Sequence, residues 1–170
     1  MPEKATVERA EQDRREGKAP ATQAGEFVRE EMEHIREGKH GARSTKQAIA
    51  IGLSKARRAG VKLPAPKGST SRRTRKQAAR DTAAARHPHK PSARRSRATT
   101  QALKREGHRA ASPRALARQA HTAAAKRSAA SRSASARKAA RTKGPARRSA
   151  AAKKAARRLS MRTNPDNGLS

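Results

Sequence analysis

Residues 38–60 read GKHGARSTKQAIAIGLSKARRAG, and the fold turns on this stretch. Elsewhere large aliphatic residues are thinly scattered among alanine, arginine and serine, yet here Ile49, Ile51 and Leu53 fall within five positions. Ser44 and Gln47 have the S-x-x-Q spacing of a capping box, in which each side chain satisfies an exposed backbone N–H at a helix start. Ala48, Ile49, Gly52, Leu53 and Ala56 follow as one stripe at helical spacing. Lys55, Arg57 and Arg58 occupy the last turns, where cations suit the helix dipole. Gly60 stops the helix and Pro64 prevents a restart.

Working toward the N-terminus, a second helix is expected from about Gly25 to Glu37. It carries Phe27, and Val28, Met32 and Ile35 at the i, i+4, i+7 spacing of a buried face, with Gly38 in the C′ position. This helix is acidic, holding Glu26, Glu30, Glu31, Glu33 and Glu37, whereas residues 44–60 hold no acid. Antiparallel pairing of the two would bury their apolar stripes and set opposite charges side by side. The expected core is therefore Phe27, Val28, Met32, Ile35, Ile49 and Leu53. A more polar first helix is expected from a Thr6 cap to about Glu16, ended by Gly17 ahead of Pro20. "REGKAPATQA" (15–24) and "REGKHGARSTKQA" (36–48) repeat the same arrangement of glycine stop, short loop and threonine before a helix.

Toward the C-terminus the composition changes. The chain has 170 residues, with 44 Lys and Arg against 13 acids, a net charge of +31, one aromatic residue and no cysteine. Residues 1–63 hold 14 basic and 10 acidic side chains, while residues 64–170 hold 30 basic and 3 acidic ones. The break falls at LPAPKGSTS (63–71), where proline and glycine predict a linker. The fold class expected is mostly α: a small helical head of two or three helices (1–63), then a long disordered or conditionally helical basic tail (64–170). High charge with little apolar surface cannot offset the entropy of ordering a chain. The head itself has few residues with which to fill a core, so a homodimer through the head, or bound DNA, is expected to complete it.

Within the tail, HPHKP (87–91) and TKGPARR (142–148) are breaks. RSASARKAAR (132–141) recurs as RSAAAKKAAR (148–157), matching at eight of ten positions. The repeat puts Arg137, Lys138 and Arg141 on one helical face, and Lys153, Lys154, Arg157 and Arg158 on another. Like charges at i, i+4 oppose the helix that alanine favours, so helix is expected to be gained on a polyanion. Ser112 and Pro113 are better read as N-cap and first residue of a helix through about Lys126 than as a turn in the minor groove.

This charge points to nucleic acid. Each phosphate neutralised releases counterions, and the basic residues far exceed the roughly 6–10 contacts that already give strong binding. The residues expected to engage phosphate are Arg57, Arg58, Arg72, Arg73, Arg75, Lys76, Arg94, Arg95, Arg137, Lys138, Arg141, Lys153, Lys154, Arg157 and Arg158. Duplex DNA is favoured over single strands because no aromatic platform exists on which bases could stack. RNA remains a possible partner, since backbone charge attracts both. Membrane attachment is not expected, because the tail lacks the Trp, Phe and Leu of an interfacial helix. A helix-turn-helix presenting Lys46 and Gln47 to base edges is the less favoured reading, because GKHGARS is longer than the usual turn and both side chains also serve as cap or solvent-facing groups.

Catalysis is not expected, and neither is a cofactor or metal. GKHGARST lacks the order of a phosphate-binding loop. Glu30 and His34, four apart, read as a surface pair, while His87, His89, His108 and His121 have no carboxylate cluster beside them. The charged N-terminus lacks an apolar signal region, so an intracellular protein is expected.

EEMEHIREGKHGARSTKQAIAIGLSKARRAGVKLP (30–64), most specifically KQAIAIGLSKARRAG (46–60), resembles the shared module of a family of short bacterial proteins of unknown function. Its members are often named DNA-binding or plasmid-stabilisation proteins. ARKAARTKGPARRSAAAKKAARR (136–158) is similar to the tails of bacterial linker-histone-like proteins. The resemblance implies histone-like DNA binding by a cytoplasmic, nucleoid-associated protein and supplies no catalytic residue. Two rival classes stay open: an RNA- or ribosome-associated factor, and a head that binds a protein partner while the tail tethers it to DNA.

Overall fold

A computed structural model describes residues 2–64, 71–86 and 92–163, with side chains continuous to Arg141 and at Gly144, Ser149, Ala150, Ala152, Lys153 and Ala156 beyond it. Most of the expected linker, together with His87 and His89, lies outside the described residues. The regular structure of the described residues is helical: α1 (Lys4–Arg15), α2 (Pro20–Arg36), α3 (Thr45–Arg58), α4 (Arg72–Arg86), α5 (Ala93–Lys104), a 3-10 turn (His108–Ala111), α6 (Pro113–Ala125) and α7 (Ala129–Thr163). The chain divides into two compact units, Met1–Ala120 and His121–Ser170.

The stretch at 38–60 forms the expected loop and helix. Ser44 Oγ accepts from Gln47 N at 3.2 Å, which caps α3. Gln47 Oε1 accepts in return from Arg43 N at 2.9 Å, one residue before the cap's own N–H. Gly60 ends the helix at φ +90°, a conformation that side chains resist. The two preceding helices start earlier than expected. α2 begins at Pro20, whose fixed φ suits the first helical position, not at Gly25. α1 begins at Lys4 after Glu3, so Thr6 is not its cap; it is buried within the helix, where its Oγ1 accepts from Arg9 at 3.0 Å.

α2 and α3 pack as the antiparallel acidic and basic pair, with α1 beside α2. Phe27 (1% exposed) is the largest residue of one cluster, with Ala10, Ala24, Ala56 and Val61, flanked by Val7, Leu53 and Leu63. Ile35 and Met32 lie in a second, with Ala42, Ala48, Ala110 and Ala111, flanked by Val28, Ile49 and Leu116. The buried stripe of α3 is made of its small residues, Ala48, Gly52 and Ala56, while Ile49 and Leu53 are half-buried at its edges. Small residues let the helices approach. A Cβ on Gly52 would lie 2.7 Å from Val28 Cα and 3.0 Å from the Phe27 carbonyl oxygen. Gly52→Ala therefore has two opposed effects: alanine gains about 1 kcal/mol of helix propensity, but overpacking a rigid core costs about 1–3 kcal/mol. Because the obstacle is backbone, the clash wins, and a lower midpoint in urea denaturation with unchanged slope is the expected result.

The first unit runs on to Ala120, not to 63. What extends the head's core is its own later sequence, where composition alone suggested a second copy or DNA. α4 packs on α3, burying Ala78 and Asp81. The 3-10 turn packs against α2 and α3, burying Ala110 and Ala111. Thr45 Oγ1 donates to the Ala110 carbonyl at 2.7 Å, and Arg36 Nε to the Ala111 carbonyl at 3.0 Å. Gly41 N and Ala42 N donate to the carbonyls of Leu103 and Gly107. This approach is so close that a Cβ on Gly41 would overlap the Glu106 carbonyl. The loop 38–44 is thus a docking edge for residues 103–111, which is why it exceeds the length of a helix-turn-helix turn.

Ser112 Oγ accepts from Ala115 N at 3.2 Å, capping α6 with Pro113 as its first residue. In the second unit, α7 is interrupted at Gly144 (φ 66°, ψ 168°), a positive-φ conformation open essentially to glycine alone. Arg127 spans the start of α7, its Nε donating to Ser131 Oγ at 3.3 Å and its NH2 to the Ser131 carbonyl at 3.1 Å and to Ser135. Among the described residues, no helix is long and apolar enough to cross a membrane.

Candidate nucleic-acid interface

The first unit uses its acids internally. Lys55 Nζ lies 2.8 Å from Glu31 Oε2 and 3.2 Å from Glu30 Oε1, joining α3 to α2. Arg9 Nε donates to Glu26 at 2.7 Å, joining α1 to α2. Arg29 takes Glu33, and Lys18 takes both Asp13 and Glu16. Glu3 accepts from His34 and Lys39, and these hydrogen bonds hold its carboxyl below the usual carboxylate range. Hydrogen bonds from Lys18 and Gln12 do the same for Glu16. Partners in turn raise the cations: Asp13 and Glu16 raise Lys18, and Glu37 and Glu3 raise Lys39. Folded-state carboxyl pKa values depressed this way stabilise above the unfolded value and lose that contribution as pH falls through the folded one. Near neutrality these acids are therefore charged and already matched.

Asp81 is one of three acids in residues 64–170, and it too is used internally. It is buried in α4, accepting from Ser54 Oγ (2.8 Å), Arg58 Nε (2.9 Å) and Gln77 Nε2 (3.1 Å). Arg58, expected on phosphate, is therefore committed to a buried carboxylate and holds α3 to α4, although its side chain is 58% exposed. Arg57 is half-buried and has a different setting. It lines an open groove of about 370 Å³ with Arg75 and Arg86, over a floor of Leu63, Ala78, Ala79, Thr82 and Ala83.

Arg72, Arg73, Arg75 and Lys76 are exposed along α4. Arg80 is exposed as well, and Arg72, Lys76 and Arg80 stand four apart on the side of α4 away from Asp81. Arg80 and Arg86 escaped the sequence reading, though the i, i+4 spacing was there to show the first; the groove that recruits the second exists only once α4 has packed. On α5, Arg94 and Arg95 are exposed, and so is Arg97. Arg137, Lys138, Arg141 and Lys153 are exposed on α7, while the side chains of Lys154, Arg157 and Arg158 lie outside the described residues. The structure brings Arg57, Arg75 and Arg86 together at the groove, and it places Arg72, Arg73 and Lys76 on α4 and Arg94 and Arg95 on α5 as separate exposed rows. Gln47 is spent on its cap and Lys46 is exposed beside it.

One reading changes outright. Glu30 and His34 are not a surface pair: Glu30 is 1% exposed, and with Glu31 it forms a buried carboxylate pair on α2 facing Lys55, His34 and His40. Sequence spacing alone could not show this, because His40 and Lys55 arrive from the loop and from α3.

Residues 4–67 match the model of a family of unknown function, DUF6496. The matched region holds α1, α2 and α3 and ends before α4 begins. No curated protein matches, and no solved structure matches.

Proposed function

We propose that this protein is a histone-like, nucleoid-associated binder of duplex DNA, acting by sequence-independent neutralisation and bridging of phosphates. The observation that carries this reading is the division of charge in the folded chain. Most acids of the first unit are paired with its own cations, while Arg72, Arg73, Lys76 and Arg80 on α4 and Arg94, Arg95 and Arg97 on α5 face solvent. Such rows suit a regular array of phosphates and hold no information about bases. Arg137, Lys138, Arg141 and Lys153 on α7 extend the charge, so that a second duplex can be held and bridged. Duplex is favoured over single strands because the chain's one aromatic residue, Phe27, is buried and unable to stack on a base. Helix in α5 is without a fully buried residue, which supports a tail whose helix deepens on a polyanion.

The testing experiment is competition between a mixed-sequence DNA duplex and a structured RNA of equal phosphate count at matched salt. The expected result is displacement of RNA by duplex DNA, with little change when the DNA sequence is scrambled. A preference for RNA moves the protein to the translation machinery or another RNA partner and overturns the reading.

A further inference from the structure

We infer that Glu31, His34 and His40 form a binding site for a first-row transition metal of the zinc class, buried where α2 meets the loop before α3. One ligand atom from each of these residues lies within 4.8 Å of the other two. Glu31 is fully buried, and neither of its carboxylate oxygens has a hydrogen-bond partner. Oε2 faces Lys55 Nζ at 2.8 Å without the alignment of a hydrogen bond, and Oε1 faces His40 Nε2 at 3.5 Å.

Histidine chemistry sharpens the point. His40 Nδ1 lies 3.1 Å from the Gly41 carbonyl oxygen, which can only accept, so Nδ1 carries the proton. In the neutral ring Nε2 then offers a lone pair 3.5 Å from the orphaned Glu31 oxygen, and two acceptors placed so suit a shared cation. A backbone carbonyl fixing one nitrogen so that the other can coordinate is the usual outer support of a metal-bound histidine. His34 has its own such partner, since Nε2 lies 2.9 Å from Glu3 Oε1.

The charge balance also asks for a cation. Two buried carboxylates, Glu30 and Glu31, share one ammonium, Lys55, and a buried charge without a counter-charge is costly. Lys55 stays on Glu30 and on Glu31 Oε2, which leaves Oε1 for the ion. Two imidazoles and one carboxylate suit zinc-class ions over magnesium or calcium, with water in the fourth position. Tetrahedral bonds of about 2.0–2.1 Å require ligand atoms about 3.4 Å apart, so the three groups need to close by about 1 Å or a little more. Side-chain rotation and the loop bearing His40 supply that movement. The bound ion would tie the loop to α2, and so steady the edge on which residues 103–111 dock.

The test uses the full chain, stripped of metal and titrated with Zn²⁺, Co²⁺ or Mg²⁺. Expected are a melting temperature raised by several degrees at one equivalent of Zn²⁺, no rise with Mg²⁺, and visible absorption of tetrahedral Co²⁺. His40→Gln and Glu31→Gln, which keep side-chain volume and are checked for fold by circular dichroism, should weaken Zn²⁺ binding at least about tenfold. His121→Gln, in the other unit, should leave it unchanged. The proposal is overturned by an unmoved melting temperature with Zn²⁺, by an equal rise with Mg²⁺, or by undiminished Zn²⁺ binding in folded His40→Gln.

Discussion

Affinity of the full chain for a mixed-sequence DNA duplex is expected to fall by at least about a thousandfold between 50 and 200 mM monovalent salt. That figure belongs to a protein making roughly 6–10 phosphate contacts, with log K falling by about 0.9 per contact for each unit of log salt. The exposed rows on α4 and α5 alone supply seven cations: Arg72, Arg73, Lys76, Arg80, Arg94, Arg95 and Arg97. Because phosphate contact is sequence-blind, scrambling the duplex should leave the slope where it is. Replacing Arg72, Lys76 and Arg80 together by glutamine should lower the slope by roughly 3, one contact's worth for each charge removed. Asp81 is the internal control. It anchors α4 through Ser54 and Arg58, so the triple variant removes charge from the opposite side of a helix whose packing stays intact. Fluorescence anisotropy across a salt series reads both quantities. A flat salt response sinks the electrostatic mechanism, and an unchanged slope in the triple variant removes α4 from the interface.

Phe27→Ala carries the largest expected loss of stability, about 3–5 kcal/mol, through lost transfer energy and the cavity left behind. Phe27 joins three helices and a terminal segment, meeting Ala10 of α1, Ala24 of its own α2, Ala56 of α3 and Val61 beyond it. Its buried neighbours are mostly alanines, too short to collapse into the space. A small domain holds a total stability of about 5–15 kcal/mol, so this one change consumes a large share of it. Urea denaturation of the full chain followed by helical circular dichroism should show the transition of the first unit moving to much lower urea. A shift worth under about 1 kcal/mol would mean that Phe27 is not the hub of this cluster.

Much of the first three helices was legible because their signals are local. Ser44 and Gln47 declare a helix start within four residues, and Val28, Met32 and Ile35 declare a face within eight. The acidic and basic partition of α2 and α3 likewise foretold opposite charges across their interface, though not that Lys55 would meet Glu30 and Glu31. Ser112 and Pro113 announced α6 in the same way. Missed were the features joined across long separations. Asp81 lies in a basic run, and its partners Ser54 and Arg58 come from α3, more than twenty residues away. His40 lies in the loop before α3, and Glu31, which it faces, lies on α2.

By itself, then, the sequence determined that α2, α3 and α6 are helical, where α3 and α6 are capped, and that cationic charge is concentrated after residue 63. Those properties are set within one or two helical turns, by hydrogen-bond geometry and side-chain periodicity. Only the tertiary structure decided where the first unit ends, which cations are spent on internal acids, and that two buried carboxylates share one lysine. Alanine is the reason for the first: Ala78, Ala110 and Ala111 bury against the head as readily as they would sit exposed in a tail, so composition cannot tell the two apart. Charge is the reason for the others, because an arginine's partner is chosen by distance in space, and a charge count has no distances in it.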